Sequence, residues 1–225
     1  MLTFLFTVDV FYVALGGLIA YLIGAVPTAV WYGKAFYDTD VRLHGSGNSG
    51  ATNTFRVLGK RAGVVVMAVD VLKGFLATQI AWALLEYKVV AYDNLFIYKE
   101  IVYKLIFGTL AVLGHIFPIY VGFKGGKGVA TLLGMMLGVD YQITLMSLGV
   151  FLIVLFTFKY VSLGSMLAAL SFPLLLLLPR FKPEDPIVIV FGFLMFAVVM
   201  ITHQKNITKL LNGEENKAKL RLRRK

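Results

Sequence analysis

Seven apolar runs separated by polar turns constrain this chain more than any other feature. They occupy 2–23, 62–85, 101–120, 129–139, 143–158, 161–178 and 187–201. An apolar helix satisfies its own backbone inside a bilayer, and crossing takes about 20 residues, with roughly 17 as the lower edge. The first, second, third and sixth runs meet or nearly meet that length. The fifth and seventh fall somewhat short. The fourth is shorter still, and stays open between a span, a re-entrant or tilted half-helix, and a continuation into the fifth. Of 225 residues, 59% are hydrophobic and 15% charged, against about 45–50% and 25% in soluble domains. The expectation is an all-α integral membrane protein with seven transmembrane helices. The first run has no basic leader and contains Asp9, so it is expected to be a retained span. The chain has no cysteine, which excludes disulfides and thiolate chemistry.

Charge orients the spans. If the loop after the first run faces the cytoplasm, five basic residues lie inside there (Lys34, Arg42, Arg56, Lys60, Arg61). Lys124, Lys127, Lys159 and eight more at 205–225 join them. Only Lys88, Lys99, Lys104, Arg180 and Lys182 fall outside, and Lys73 lies within a span. Sixteen against five selects an outer N-terminus and a cytoplasmic C-terminus. Fusing the fourth and fifth runs would send eight tail cations outward. The expected organisation is one polytopic membrane domain over 1–204 and a basic cytoplasmic tail over 205–225. The net charge of +10 reads as topology and attraction to anionic membrane lipids, with no nucleic-acid partner.

This topology brings three polar stretches to one compartment. The first is Arg42-Leu43-His44-Gly45-Ser46-Gly47-Asn48-Ser49-Gly50-Ala51-Thr52-Asn53, with Arg56 close behind. Its glycines let backbone N–H groups approach a ligand, its hydroxyls and amides add donors, and its arginines add charge. A phosphate, compact and multiply charged, suits such a set. The second runs from Phe117 to Thr131 and contains Lys124-Gly125-Gly126-Lys127-Gly128. It lacks the spacing and following Ser/Thr of a nucleotide P-loop, but its glycines open a helix N-terminus beside Lys127. The third is His203-Gln204-Lys205-Asn206-Ile207, where His203 and Asn206 share one helical face. Asp70 and Lys73, three apart within a span, are placed to pair, as a structural ion pair or as ligands. Glycines at Gly16, Gly17, Gly134, Gly138 and Gly149 are expected at close helix contacts. His44, His115 and His203 are too scattered in sequence to propose a metal site.

Ser-Gly-Asn-Ser-Gly-Ala-Thr-Asn at 46–53, Phe-Lys-Gly-Gly-Lys-Gly-Val-Ala-Thr at 123–131 and His-Gln-Lys-Asn-Ile at 203–207 resemble three motifs of one family. It is the bacterial membrane glycerol-3-phosphate acyltransferases that take their acyl group from acyl phosphate. Asp70…Lys73-Gly74 and Gly114-His115…Phe117-Pro118 fit as well, so the match runs over nearly the whole chain. The resemblance implies a multi-pass enzyme of the bacterial cytoplasmic (inner) membrane with a cytoplasm-facing site. Its products would be lysophosphatidic acid and phosphate, in the first acylation of phospholipid synthesis. It implies no cofactor, no metal, and no acyl-CoA or acyl carrier protein. Ser46, Gly47, Asn48, Gly50, Ala51, Thr52 and Asn53 would hold the acyl phosphate. Arg56, Lys127, His203, Asn206 and a serine, Ser165 or else Ser162, would hold glycerol 3-phosphate. Ser46, Arg56, Lys127, His203 and Asn206 would carry catalysis, and Glu214 would fill the acidic position after the histidine. Ser49 stands where the family often has proline.

No Ser-His-Asp set or coenzyme-A-type His-to-Asp spacing is present. The resemblance therefore implies direct transfer, with the donor's phosphate taking the proton. The residues alone leave His203 open between base and positioner. A transporter of organic phosphate is the alternative the intramembrane charges allow, and a lipid-binding scaffold is a third. Neither explains three anion-type loops on one face.

Overall fold

The computed structural model describes residues 2–86 and 100–218. Among the described residues the structure is helical, without strands. The longer helices are α1 (Leu2–Ala25), α2 (Thr28–Tyr37), α3 (Ala51–Val57), α4 (Lys60–Glu86), α5 (Glu100–Ile116) and α6 (Val129–Val139). They continue with α7 (Tyr141–Phe158), α8 (Val161–Leu176), α9 (Ile187–Thr202) and α10 (Gln204–Leu211). Each of the seven apolar runs is a helix. The side chain of Asp9, both Lys88 and Lys99, and the basic residues from position 219 onward lie outside the described set.

Among the described residues three helices are long and apolar enough to cross a bilayer unaided: α4, α5 with its short extension to Val121, and α7. Two more spans arise if bent pairs are each counted once, Val10–Ala25 with α2 (bent 41°) and α9 with α10 (bent 64°). The fourth run forms α6, only 11 residues long, so at 1.5 Å per residue it reaches about half of a ~30 Å hydrocarbon core. It does not continue into the fifth. Asp140 breaks the helix in an extended conformation, and its side chain accepts from the Ile143 N–H at 3.0 Å to start α7.

The chain divides into two compact units, Met1–Val139 and Asp140–Lys225. Sequence alone marks no boundary there. In the first unit α4 and α5 pack with α1 and α6, and small residues set the distances. A Cβ on Gly74 would lie 1.9 Å from the Thr131 carbonyl oxygen, and one on Gly134 would lie 1.8 Å from that of Val71. The α4–α6 crossing is therefore backbone against backbone. Gly16, Gly17 and Gly138 also stand at close contacts, with Phe107, Leu110 and Thr78. Gly149 departs from that expectation, because a Cβ there meets nothing within 4 Å. In the second unit α8 packs between α7 and α9.

Gly134→Ala is expected to destabilise the first unit by roughly 3 kcal/mol, the scale of an overpacked core, and to lower the melting temperature in detergent by several degrees. Gly149→Ala should leave it unchanged or slightly raised, because alanine is the better helix former by about 1 kcal/mol. Equal losses at both positions would contradict the crossing described.

Candidate active site

The first polar stretch is a loop built around one buried carboxamide. Asn53, 1% exposed, donates from Nδ2 to the carbonyls of Val41 at 2.8 Å and His44 at 3.1 Å, while its Oδ1 accepts from the Ser46 N–H at 2.9 Å. Gly45 and Gly47 take positive φ, 62° and 72°. A side chain on Gly45 would collide with Asn53 Oδ1. The Asn48 side chain caps the Gly50 N–H at 2.9 Å, and Gly50 leads into α3. These bonds are specific about what they leave over. The backbone N–H groups of Asn48, Ser49, Ala51 and Thr52 have no acceptor among the described residues. Four such donors on five consecutive residues form an anion-binding backbone.

Arg42 is tied down. It donates to both Asp40 carboxylate oxygens, at 3.0 and 2.8 Å, and to the Val121 carbonyl of the second stretch at 3.2 Å. That bonding holds the Asp40 carboxyl down to about 2. Its stabilising contribution is complete above the ordinary value of 3.8 and is lost as pH falls through about 2. The clamp is thus constant across the working range. Arg56, on α3, is exposed.

The second stretch faces the first across an open cavity of about 540 Å³, lined by Arg42 and Gly47 on one side and by Gly122, Lys124 and Gly125 on the other. Gly122 and Phe123 both take positive φ. The N–H groups of Gly125 and Gly126 turn back onto the carbonyls of Ile116 and His115, each at 3.1 Å. Lys127 stands half-buried beside these glycines, and the first-turn amides of α6 have no partner within the helix. Below lies a buried cluster in which Lys73 Nζ sits 2.9 Å from Asp70 Oδ1, the pairing their spacing suggests.

In the second unit His203 sits at the α9–α10 bend, 2% exposed. Its Nδ1 lies 2.8 Å from the Val199 carbonyl oxygen. A carbonyl only accepts, so Nδ1 is the donor in this bond. Asn206 follows one turn on, with its N–H on the His203 carbonyl at 2.8 Å. Asn206 Nδ2 and Ser162 Oγ both donate to Glu215 Oε1, at 2.8 and 2.9 Å. Ser165 Oγ instead donates to the Val161 carbonyl of its own helix at 2.9 Å. Glu215, next to the Glu214 singled out by resemblance, is the acid that joins Asn206 to the start of α8. Only folding back of the chain after α10 reveals it, since no periodic signal separates two adjacent glutamates.

The family model described as glycerol-3-phosphate acyltransferase matches residues 14–213. A glycerol-3-phosphate acyltransferase of Chlorobium phaeobacteroides (strain BS1) is 39% identical over 223 residues, covering 89% of this chain and 94% of the relative. That of Fusobacterium nucleatum is 43% identical over 201 residues, covering 89% and 95%. Among solved structures, the glycerol 3-phosphate form of PlsY (YgiH), an integral membrane glycerol 3-phosphate acyltransferase, superposes with a TM-score of 0.77 at 34% identity, over 92% of this chain and 95% of that one. Its lysophosphatidic acid form gives 0.73 at 34% identity, over 91% and 94%. Helices, loops and relatives together define a multi-pass integral membrane acyltransferase. The chain belongs to the glycerol-3-phosphate acyltransferase family.

Asn53→Asp keeps the shape and Oδ1 but replaces the Nδ2 donor with an oxygen facing two carbonyls. Each buried group left unsatisfied costs about 1–3 kcal/mol. Turnover should fall more than 100-fold with the helical circular dichroism intact. An Asp variant near wild-type activity would show that the carboxamide does not shape the loop.

Proposed function

We propose that the protein transfers an acyl group from acyl phosphate to the 1-hydroxyl of glycerol 3-phosphate, giving lysophosphatidic acid and inorganic phosphate. The observation that carries this reading is the set of N–H donors on Asn48, Ser49, Ala51 and Thr52 that have no acceptor among the described residues, on a loop locked by Asn53. The loop binds the donor's phosphate through Ser46, Gly47, Asn48, Gly50, Ala51 and Thr52, with Asn53 holding it in shape. Arg56, Lys127, His203 and Asn206 hold glycerol 3-phosphate, with a hydroxyl from the Ser162–Ser165 turn. Two phosphates in one poorly hydrated place repel, so fixed cations and preorganised dipoles do most of the work.

The hydroxyl oxygen attacks the acyl carbon, the bond from that carbon to the phosphate oxygen breaks, and the departing phosphate takes the proton. The leaving group is already good, so catalysis is chiefly alignment of the hydroxyl. His203, protonated at Nδ1, accepts the hydroxyl hydrogen bond at Nε2 and orients the nucleophile. Burying the acyl chain between helices contributes roughly 0.8 kcal/mol per CH₂. In this reading 1–204 acts as one membrane domain with seven spans in a bacterial inner membrane. The N-terminus is outside, the basic tail 205–225 is cytoplasmic, and neither coenzyme A nor acyl carrier protein takes part.

Purified protein given acyl phosphate and glycerol 3-phosphate should release phosphate and form a monoacyl product without coenzyme A. Uptake of labelled glycerol 3-phosphate into sealed vesicles with no acyl product would overturn the reading in favour of a transporter. Arg56→Ala and Lys127→Ala should each lower turnover at least 1000-fold with the fold intact. His203→Gln, which retains a polar side chain, should keep a measurable rate. Complete loss in that variant alone would make His203 the base.

A further inference from the structure

The anion loops rest on a group of buried polar side chains to which nothing above assigns a task. Asp70, Lys73, His115 and Thr131 are 1, 4, 6 and 0% exposed. Asp70 Oδ1 receives Lys73 Nζ at 2.9 Å and the Thr28 hydroxyl at 3.1 Å, and His115 Nδ1 lies 3.7 Å away. Lys73 also donates to the Val26 carbonyl at 3.0 Å, and Thr131 Oγ1 meets His115 Nδ1 at 3.2 Å. The cluster thus joins α4, α5, α6 and the α1–α2 turn. Taking two charges out of water is costly, and well-packed apolar residues serve mere helix packing as well or better. An ion pair here therefore invites a second explanation.

His115 supplies one, because it touches the second loop twice. Its carbonyl accepts the Gly126 N–H at 3.1 Å. Its imidazole lies against the Gly126 Cα so closely that a Cβ there would be 2.1 Å from Nε2. Gly126 is the residue before Lys127. A small cavity beside Asp70 is bordered by Gly126 of the second loop and also by Ser49 of the first. One cluster therefore underlies both loops.

We propose that Asp70 and Lys73 are positioning residues. Acting through His115, they fix the height of the Gly125–Gly126 turn, and with it the backbone that carries Lys127 to the acceptor phosphate. The Thr131 hydroxyl meets the same imidazole nitrogen, Nδ1, that faces Asp70, opposite the Nε2 that lies against Gly126. The nature of the anion rests on the proposed function, whereas the placement of the turn does not, so the test reads both.

The variants are Asp70→Asn, Lys73→Met and the two combined. The combination replaces a buried ion pair with neutral groups of similar size, so its melting temperature should return to within a few degrees of wild type. Positioning predicts that function does not return with it. The Gly125 and Gly126 amides should exchange with deuterium at least tenfold faster than in wild type, and KM for glycerol 3-phosphate should rise at least tenfold with a smaller change in kcat. Recovery of stability together with exchange and KM within twofold of wild type would overturn the proposal and leave the pair a packing element. Should the combination fail to fold, Thr131→Val decides. It removes only the hydroxyl at His115 Nδ1, and should raise KM at least threefold and speed the same exchange. No change in either would overturn the proposal. If wild type forms no monoacyl product, the proposed function falls separately, and the exchange rates of Gly125 and Gly126 alone decide this inference.

Discussion

A single carboxamide turns both its N–H donors and its oxygen onto the backbone around it. By drawing the Val41 and His44 carbonyls and the Ser46 N–H onto itself, Asn53 bends the glycine-rich segment into a closed turn. The amides of Asn48, Ser49, Ala51 and Thr52 are then left with no acceptor among the described residues. Unpaired donors are costly where water is scarce, so the arrangement is stable only where an anion or solvent reaches them. The loop's rigidity and its appetite for negative charge therefore have one origin.

The rest of the first unit keeps that loop in place. The Asp40–Arg42 clamp reaches across to Val121 and ties the first loop to the second. Beneath both, α4 and α6 approach until a Cβ at Gly74 or Gly134 would strike backbone oxygen. This closeness lets Thr131 on α6 reach His115 on α5. Small residues set the helix spacing, and the spacing sets the height of the loops. In the second unit Glu215 does a comparable task, fastening Asn206 to the start of α8.

Much of this was legible in the sequence, for definite reasons. Apolar runs bounded by glycine and charge have few options besides helices, and all seven are helical. Asp70 and Lys73 were readable as a pair because three residues is less than one helical turn. The short fourth run kept its own helix because Asp140 caps the next one. What escaped was tertiary. Asn53 looked like a ligand, and nothing local shows that its side chain turns inward to serve the loop. Arg42 looked like a phosphate cation, yet its near neighbour Asp40 occupies it. Gly149 sits at the same kind of position as Gly134, and only packing separates a contact glycine from one with open space beside it. The return of the chain that brings Glu215 to Ser162 is a contact across 53 residues. No periodicity encodes it.

The proposed transfer requires both glycine loops and the His203 turn to open to one compartment. A chain without cysteine permits a direct check. Single cysteines are introduced at exposed positions as His44→Cys, Lys124→Cys and Lys205→Cys, and sealed, oriented vesicles are treated with an impermeant maleimide. All three should label only when the cytoplasmic face is accessible. Labelling of any one from the opposite face would separate the loops across the lipid, and no shared site for two phosphorylated reactants would then exist.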